Sequence, residues 1–180
     1  MAIGKILKGT RINLRPVEVN DAEFTLKIRN DESLTEFIPK VSGTLETQSA
    51  WIARQREKEG DYFYIIENKD GKALGTLAYY DVVGNTCELG RYISYGNAYE
   101  NVEAAVLLIE YLFDSGFTKI IFNNDERNNR IIRFWKKFGV EYAEAVPMEG
   151  WTAAQYWLTP DLYSKKRESI MKLIGFGRRN

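Results

Sequence analysis

Hydrophobic and polar residues in the first third of the chain follow a pattern that predicts one strand and two helices. Polar and apolar residues alternate over Thr10–Val17, which is typical of a strand. A helix is expected next, with Asn20 as its N-cap, Glu23 three residues later and an end near Asn30. A second helix is predicted over Thr44–Glu59, after a loop.

The middle of the chain predicts three consecutive antiparallel strands. Aromatic and β-branched residues over Tyr62–Asn68 precede Asp70-Gly71, a dipeptide suited to a tight turn. Further strands are predicted over Lys72–Val83 and Thr86–Ser94, joined by a second turn. These three strands form the centre of the expected sheet.

The remaining pattern alternates between helices and strands. After a turn over Tyr95–Asn101, apolar residues recur at helical spacing from Val102 until Gly116. The elements expected after it are a buried strand at Lys119–Phe122, a helix capped by Asp125, strands at Glu141–Val146 and Ala153–Leu158, and a polar C-terminal helix. No repeat or linker interrupts residues 1–180, so one domain is predicted.

Composition narrows the classes of function. Positive and negative residues balance at 25 each, so neither nucleic acid nor an anionic membrane is expected as a partner. The single cysteine, Cys87, forms no internal disulfide, and no leader segment is evident, which indicates a cytoplasmic protein. A small molecule is the expected ligand.

The absence of histidine restricts the available chemistry. Catalytic triads, cysteine–histidine pairs and histidine-rich metal sites all need an imidazole, and the chain has none. No metal site is predicted. Proton transfer in an enzyme of this composition is left to carboxylates, tyrosines, lysines, the backbone or water.

Several segments, in this order and spacing, resemble the GCN5-related N-acetyltransferases over nearly the whole chain. The matching stretches are Gly9-Thr10-Arg11-Ile12-Asn13-Leu14-Arg15-Pro16, Ile28-Arg29-Asn30, Gly75, Glu88-Leu89-Gly90-Arg91-Tyr92-Ile93, and Asn128 followed by Trp135-Lys136-Lys137-Phe138-Gly139. The resemblance implies an α+β fold with a mixed, mostly antiparallel sheet of about six or seven strands and helices on both faces. It also implies that the strand Glu88–Ser94 diverges from the strand Lys119–Phe122.

The resemblance further implies that acetyl-CoA is the cosubstrate. Pantetheine is expected along Tyr92, Ile93 and Ser94, and the pyrophosphate on backbone amides at the start of the long helix. The residues expected to form that amide turn are Asn97, Ala98, Tyr99, Glu100 and Asn101, with Asn128 near the pantetheine arm and Trp135 also at the cofactor.

Two positions depart from the family pattern. The phosphate turn lacks the usual initial glutamine or arginine, and Tyr99 stands where a glycine is expected. Trp135 replaces a tyrosine that can protonate the departing thiolate, so water or another tyrosine would serve, with Tyr79, Tyr80, Tyr92 and Tyr95 nearby in sequence. These departures keep open a non-catalytic ligand-binding or interaction module on the same fold.

Glu88 is the predicted general base, since a carboxylate on the divergent strand could take a proton from an amine through water. The alternative is a cross-strand pair at a solvent-facing position. Glu103 and Glu110 are expected on the surface of the long helix, and Cys87 in the core.

Acceptor residues are also implied by the resemblance. Arg29, Gln48, Trp51 and Tyr79 are expected to bind the substrate, as in the subgroup that acetylates nucleotide-linked amino sugars. Aromatic rings suit sugar and base faces, although packing in the core is the alternative for each ring. Amine acetylation by direct attack in a ternary complex is the resulting functional hypothesis.

Basic residues mark two later helices. Arg127, Arg130, Arg133, Lys136 and Lys137 could help to hold the ribose phosphate of the coenzyme, or form a solvated face. The C-terminal segment from Lys165 to Arg179 is amphipathic. It is expected to pack on the domain or on the partner subunit of a homodimer rather than on a membrane.

Overall fold

The computed structural model describes residues 4–40 and 42–175. The strands are β1 (Leu7–Lys8), β2 (Ile12–Pro16), β3 (Tyr62–Asn68), β4 (Ala73–Val83), β5 (Thr86–Ser94), β6 (Lys119–Asp125), β7 (Glu141–Met148) and β8 (Trp151–Leu158). The helices are α1 (Ala22–Arg29), α2 (Glu32–Thr35), α3 (Leu45–Glu57), α4 (Ala98–Asp114), α5 (Asn129–Lys136) and α6 (Pro160–Leu173), and a 3₁₀ turn (Val19–Asp21) precedes α1.

The strands form one mixed sheet in the order β1-β2-β3-β4-β5-β6-β8-β7. The pairing of β5 with β6 is parallel, and the neighbouring pairs on either side are antiparallel. The predicted α+β fold with a mostly antiparallel sheet is therefore confirmed. Residues 4–40 and 42–175 contain eight strands where six or seven were expected, partly because β1, of two residues, is too short to show a sequence period.

Helices cover both faces of the sheet, as expected. The larger core lies on the α4 side, where Leu77, Leu89 and Phe122 are buried with the apolar stripe of α4. The smaller core lies on the α1 and α3 side, where Ile52 of α3 and Phe63 are buried together. Alternate residues of each central strand thus enter different cores.

The strands β5 and β6 diverge, as predicted, and the divergence begins after Glu88. Their pairing runs from Thr86 opposite Lys119 to Glu88 opposite Ile121, whereas β6 stays paired with β8 to its end. Beyond that point β5 carries an extra residue relative to β4, and Arg91 there has a φ of 50°. The bulge turns the end of β5 away from β6 and opens a cleft.

The bulge also brings β4 and β5 very close together. A Cβ atom on Gly75 would lie 2.4 Å from the carbonyl oxygen of Ile93, so no larger residue fits there. The hydroxyl of Thr76 donates a hydrogen bond to the Arg91 carbonyl at 2.8 Å. Both contacts fix the position at which β5 bends.

Three predicted helix starts were wrong, because other polar side chains cap the backbone. Glu18 and Asp21 form a capping box on the 3₁₀ turn that precedes α1, and Asn20 lies inside that turn. The helix α4 begins at Ala98, one turn before Val102. Asp125 remains in β6, and α5 is capped by Asn128. The short helix α2 was not predicted.

Glu103 was expected on the surface of α4 but is buried, with an exposed fraction of 1%. Its carboxylate accepts hydrogen bonds from the backbone amides of Thr10 and Arg11, and so ties the loop before β2 to α4. Glu110 accepts from the hydroxyl of Tyr163 and the guanidinium of Arg167, which joins α6 to α4. The C-terminal helix therefore packs on the rest of the chain, while Arg178 and Arg179 lie outside the described residues.

In the described part of the chain, no helix combines the length and the apolar character that a bilayer crossing requires.

Candidate active site

The divergence of β5 from β6 opens a cleft with a volume of about 470 Å³. Its walls are the end of β5, the first turn of α4, the helix α5 and the segment 33–38 that includes part of α2. The predicted cofactor residues that line it are Tyr92, Ile93, Ser94, Ala98, Asn101 and Asn128. Arg130, Arg133 and Lys137 add positive charge on the α5 side.

Trp135, a predicted cofactor residue, is not on the wall of this cleft. It is buried in the larger core, with an exposed fraction of 2%, and its ring centroid lies 4.7 Å from that of Phe122. Phe134, its neighbour in α5, lines the cleft instead. Sequence spacing alone did not show which of these two consecutive aromatic residues faces inward.

The N-terminus of α4 is closed by its own side chains. The Asn97 carboxamide oxygen accepts hydrogen bonds from the amides of Tyr99, at 2.9 Å, and Glu100, at 3.1 Å. The Glu100 carboxylate in turn accepts from the Asn97 amide at 2.8 Å, and the Asn101 amide bonds the Asn97 carbonyl. The prediction that Asn97–Asn101 offers free amides to a pyrophosphate is therefore corrected: four of these amides are already engaged.

The four tyrosines nearby in sequence differ in what their hydroxyls contact. The Tyr80 hydroxyl donates to Glu88, and that of Tyr95 donates to Asp31, both at 2.8 Å. Tyr79 is buried in the larger core. Tyr92 lines the cleft, and its buried hydroxyl has no hydrogen-bond partner among the described residues.

Burial also raises the pKa of Tyr92, so this hydroxyl stays protonated near neutral pH. The ring of Tyr92 stacks on that of Phe134 with centroids 5.4 Å apart, which holds it at the cleft. A fixed, protonated and unpaired donor in a cleft is a group that can bind a ligand atom.

A second cavity, of about 370 Å³, lies between the helices α1 and α3 and the strands β3, β4 and β5. Arg29, Gln48 and Trp51, three of the predicted substrate residues, line it together with Thr76 and with Arg91, to which the sequence analysis gave no substrate role. Ile93 lines both cavities, so they border each other at the divergent end of β5.

Tyr79, the fourth predicted substrate residue, faces the other side of the sheet. Its ring stacks on that of Tyr62, with centroids 4.5 Å apart, in the larger core. On the same strand, Thr76 lines the second cavity and Tyr80 packs on the smaller core. Because successive side chains of a strand point to opposite faces, Tyr79 points away from the second cavity and the smaller core. The prediction of Tyr79 as a substrate residue is thus not supported by its position.

Arg91 forms one wall of the second cavity and is held from several sides. Its guanidinium donates to Asp61 through both Nη atoms, and the bond from Nη2 is 2.9 Å long. The guanidinium carbon also lies 4.4 Å from the centroid of the Tyr80 ring and 5.4 Å from that of Trp51. Gln55 donates to Asp61 as well, so the carboxylate is fixed by α3.

Glu88, the predicted base, sits at the last position where β5 pairs with β6. Its carboxylate accepts from the Tyr80 hydroxyl at 2.8 Å and from the Asn123 amide at 2.7 Å. Burial raises the pKa of Glu88 above the ordinary value for a glutamate. It is not among the residues that line the two cavities, and Tyr80 and Arg91 lie between it and the second one.

Cys87 is buried in the larger core, as predicted. Burial raises the pKa of its thiol to about 12, so it carries no thiolate near neutral pH. Among the described residues, no group of three potential ligand side chains is arranged to hold a metal ion.

A mixed sheet with a split between its fifth and sixth strands, and a cleft that opens at the split, match the acyltransferase fold that the family resemblance implies. The sequence profile of the Acetyltransferase (GNAT) domain matches residues 11–141. The chain therefore belongs to the GNAT acetyltransferase family and is an acyltransferase.

Solved structures agree with this assignment. The chain is 27% identical to FdhC, described as a nucleotide-linked sugar GNAT, with a TM-score of 0.81 over 96% of this chain and 100% of that one. A GCN5-related N-acetyltransferase from Brucella melitensis shares the fold at 14% identity, with a TM-score of 0.82 over 98% of this chain and 88% of that one. An acetyltransferase of the GNAT family from Bacillus anthracis does so at 19% identity, with a TM-score of 0.74 over 87% of this chain and 99% of that one. No curated protein matches the chain.

The cleft contains groups that fit acetyl-CoA, the donor that this family uses. The unpaired Tyr92 hydroxyl and the unpaired carboxamide oxygen of Asn101 can bond the amides and thioester of the pantetheine arm, and the cations of α5 suit phosphates. The closed N-terminus of α4, with its negative Glu100, does not fit a pyrophosphate in the usual way. In this protein Arg130, Arg133 and Lys137, in α5 and directly after it, would therefore contribute more to binding the pyrophosphate.

We predict that Glu100→Gln strengthens binding of acetyl-CoA about two- to fivefold, because it removes a negative charge near the diphosphate. Glutamine keeps an oxygen that can accept the Asn97 amide, so the cap survives. Calorimetric titration measures the change. S-acetylpantetheine, which lacks the diphosphate, is the matched ligand and should bind both proteins equally. An unchanged or weaker affinity of the variant for acetyl-CoA would contradict this role of Glu100.

Proposed function

We propose that the protein transfers an acetyl group from acetyl-CoA to a primary amine by direct attack in a ternary complex, and that the acceptor is a nucleotide-linked amino sugar. The observation that carries this proposal is the pair of cavities bordering β5, which share Ile93. One cavity suits the donor and the other the acceptor. Both substrates can then be bound at once, with their reacting groups near the shared residue.

The nature of the second cavity supports a sugar nucleotide as acceptor. Trp51 and Phe63 provide aromatic surface there, while Gln48 and Thr76 provide polar groups, a combination suited to sugar and base faces. Arginine side chains supply positive charge for phosphates. The likeness to a nucleotide-linked sugar GNAT, which covers nearly the whole chain, favours the same class of acceptor.

In the proposed reaction the amine nitrogen attacks the thioester carbonyl carbon, the carbon–sulfur bond breaks, and the leaving thiolate takes up, directly or through water, the proton that the attacking nitrogen releases. The ammonium form of the acceptor must first lose a proton, which we assign to Glu88 because the chain has no histidine, with water and the Tyr80 hydroxyl as the relay between Glu88 and the second cavity. The raised pKa of Glu88 makes its carboxylate a stronger base than an exposed glutamate. The Tyr92 hydroxyl, which its raised pKa keeps protonated, is assigned as the hydrogen-bond donor that stabilises the leaving thiolate.

The closed N-terminus of α4 favours a second candidate function, a non-catalytic module on the same fold. Titration of acetyl-CoA by calorimetry, followed by thiol release with a panel of amines, separates the two functions. Saturable binding with turnover that is fastest on amino-sugar nucleotides supports the first. Absent binding of acetyl-CoA supports the second.

For the base, we predict that Glu88→Gln lowers turnover roughly 10²-fold or more near neutral pH and leaves acetyl-CoA affinity unchanged. The defect should shrink at high pH, where the free amine becomes abundant. Rate profiles between pH 6 and 9 check this, and Glu141→Gln on the exposed edge strand β7 is the control. Wild-type turnover of Glu88→Gln across that range would eliminate Glu88 as the base.

For the leaving group, we predict that Tyr92→Phe lowers kcat about tenfold or more, while the loss of one neutral hydrogen bond weakens acetyl-CoA binding by a few-fold at most. Phenylalanine keeps the stack on Phe134 and removes only the unpaired hydroxyl. Tyr95→Phe is the matched control, since the Tyr95 hydroxyl bonds Asp31 outside the cleft wall. Equal kcat values for Tyr92→Phe and the wild type would rule out the assigned role.

A further inference from the structure

The charged side chains that line the described part of the second cavity are all positive, in a chain whose formal net charge is zero. Among the residues that the structure describes, three arginines, Arg29, Arg54 and Arg91, line it, and no aspartate or glutamate does. Arg91 is neutralised by its ion pair with Asp61, and Arg54 is exposed. Arg29 is the cation whose charge remains to be accounted for.

Arg29 is half-buried at the end of α1, and its side chain makes one hydrogen bond with the described residues. Its Nη2 atom donates to the carbonyl oxygen of Pro39 at 3.2 Å, and its buried Nε atom has no acceptor among the described residues. Among the described residues, the arginines that form ion pairs are Arg15, Arg91, Arg127 and Arg167, and Arg29 is not one of them. Burial, and then the nearby charge of Arg91, lower the pKa of Arg29.

A half-buried guanidinium whose Nε–H group is buried without an acceptor, and which has no counter-charge among the described residues, is destabilising unless a ligand supplies the anion. The planar guanidinium offers parallel N–H donors, which match two oxygens of a phosphoryl group better than a single lysine charge does. Trp51 and Phe63 in the same cavity leave aromatic surface beside that position for an uncharged part of the ligand.

We infer that Arg29 is a specificity-determining residue that binds a phosphoryl group of the acceptor in the second cavity. This inference rests on the proposed function and assigns to one residue the selection of anionic over neutral amines. A nucleoside diphosphate linked to the amino sugar provides such a group. Asp61 balances the charge of Arg91, whereas no described carboxylate balances that of Arg29. The bound anion would supply this missing negative charge.

The test measures binding of uridine diphosphate, inorganic pyrophosphate and uridine by calorimetry, with the coenzyme cleft filled by saturating CoA. The variants are Arg29→Gln, which removes the positive charge, and Arg29→Lys, which keeps the charge but lacks the parallel N–H donors of the guanidinium. Lys27→Gln is the matched control, since Lys27 is exposed on the same helix and does not line the cavity. Thermal unfolding of each variant verifies that it is folded.

We expect Arg29→Gln to weaken binding of uridine diphosphate or pyrophosphate about 10- to 100-fold, and Arg29→Lys to lie in between. Uridine binding, and binding by Lys27→Gln, should match the wild type. With an amino-sugar nucleotide as acceptor, Arg29→Gln should raise its KM by a similar factor and change kcat little. This split distinguishes a binding residue from one that only supports the fold.

The inference is overturned if neither anion shows binding that depends on Arg29, or if uridine binds the wild type as tightly as its diphosphate. Acetyl-CoA affinity, measured on the same proteins, separates this result from failure of the proposed function. If acetyl-CoA binds normally and amines without phosphate are acetylated, but binding of the anions does not depend on Arg29, only the anion site is refuted. If the wild-type protein does not bind acetyl-CoA at all, the proposed transfer of an acetyl group from acetyl-CoA is itself refuted.

Discussion

The bend in β5 at Arg91 is the constraint on which both cavities depend. An extra residue at this point, with Arg91 in the left-handed region, directs Ile93 and Ser94 away from β6. A non-glycine residue pays a conformational cost there, commonly of about 1–3 kcal/mol, so the surroundings must hold it in place. Asp61, Tyr80 and the hydroxyl of Thr76 supply the contacts that do so.

These contacts connect the bend to the chemistry on both sides. Asp61 binds the Arg91 guanidinium in the second cavity, and Tyr80 lies between that guanidinium and the Glu88 carboxylate. On the cleft side, the same strand presents the unpaired Tyr92 hydroxyl. One distortion of one strand therefore opens the donor cleft and orders the polar groups of the acceptor cavity.

The sequence predicted the strands and long helices well because alternation and helical spacing are local properties. It failed where several polar side chains compete for the same amides: Asn97 and Glu100 closed the turn that was expected to be open. It also failed where the role of a residue depends on which face of its strand or helix the side chain occupies, as for Tyr79 and Trp135, which point into the larger core. Arg91 was part of a matching segment, but its role follows from a left-handed φ that no residue pattern reveals for arginine.

The most direct test of the central claim, that the divergence of β5 from β6 creates the acetyl-CoA site, is a titration followed by backbone amide chemical shifts. The account predicts saturable shifts for Ile93, Ser94, the first turn of α4 and residues 128–137 of α5 and its flanks, with little change in β1 and β2. Shifts that are absent, or that cluster away from the cleft, would contradict it.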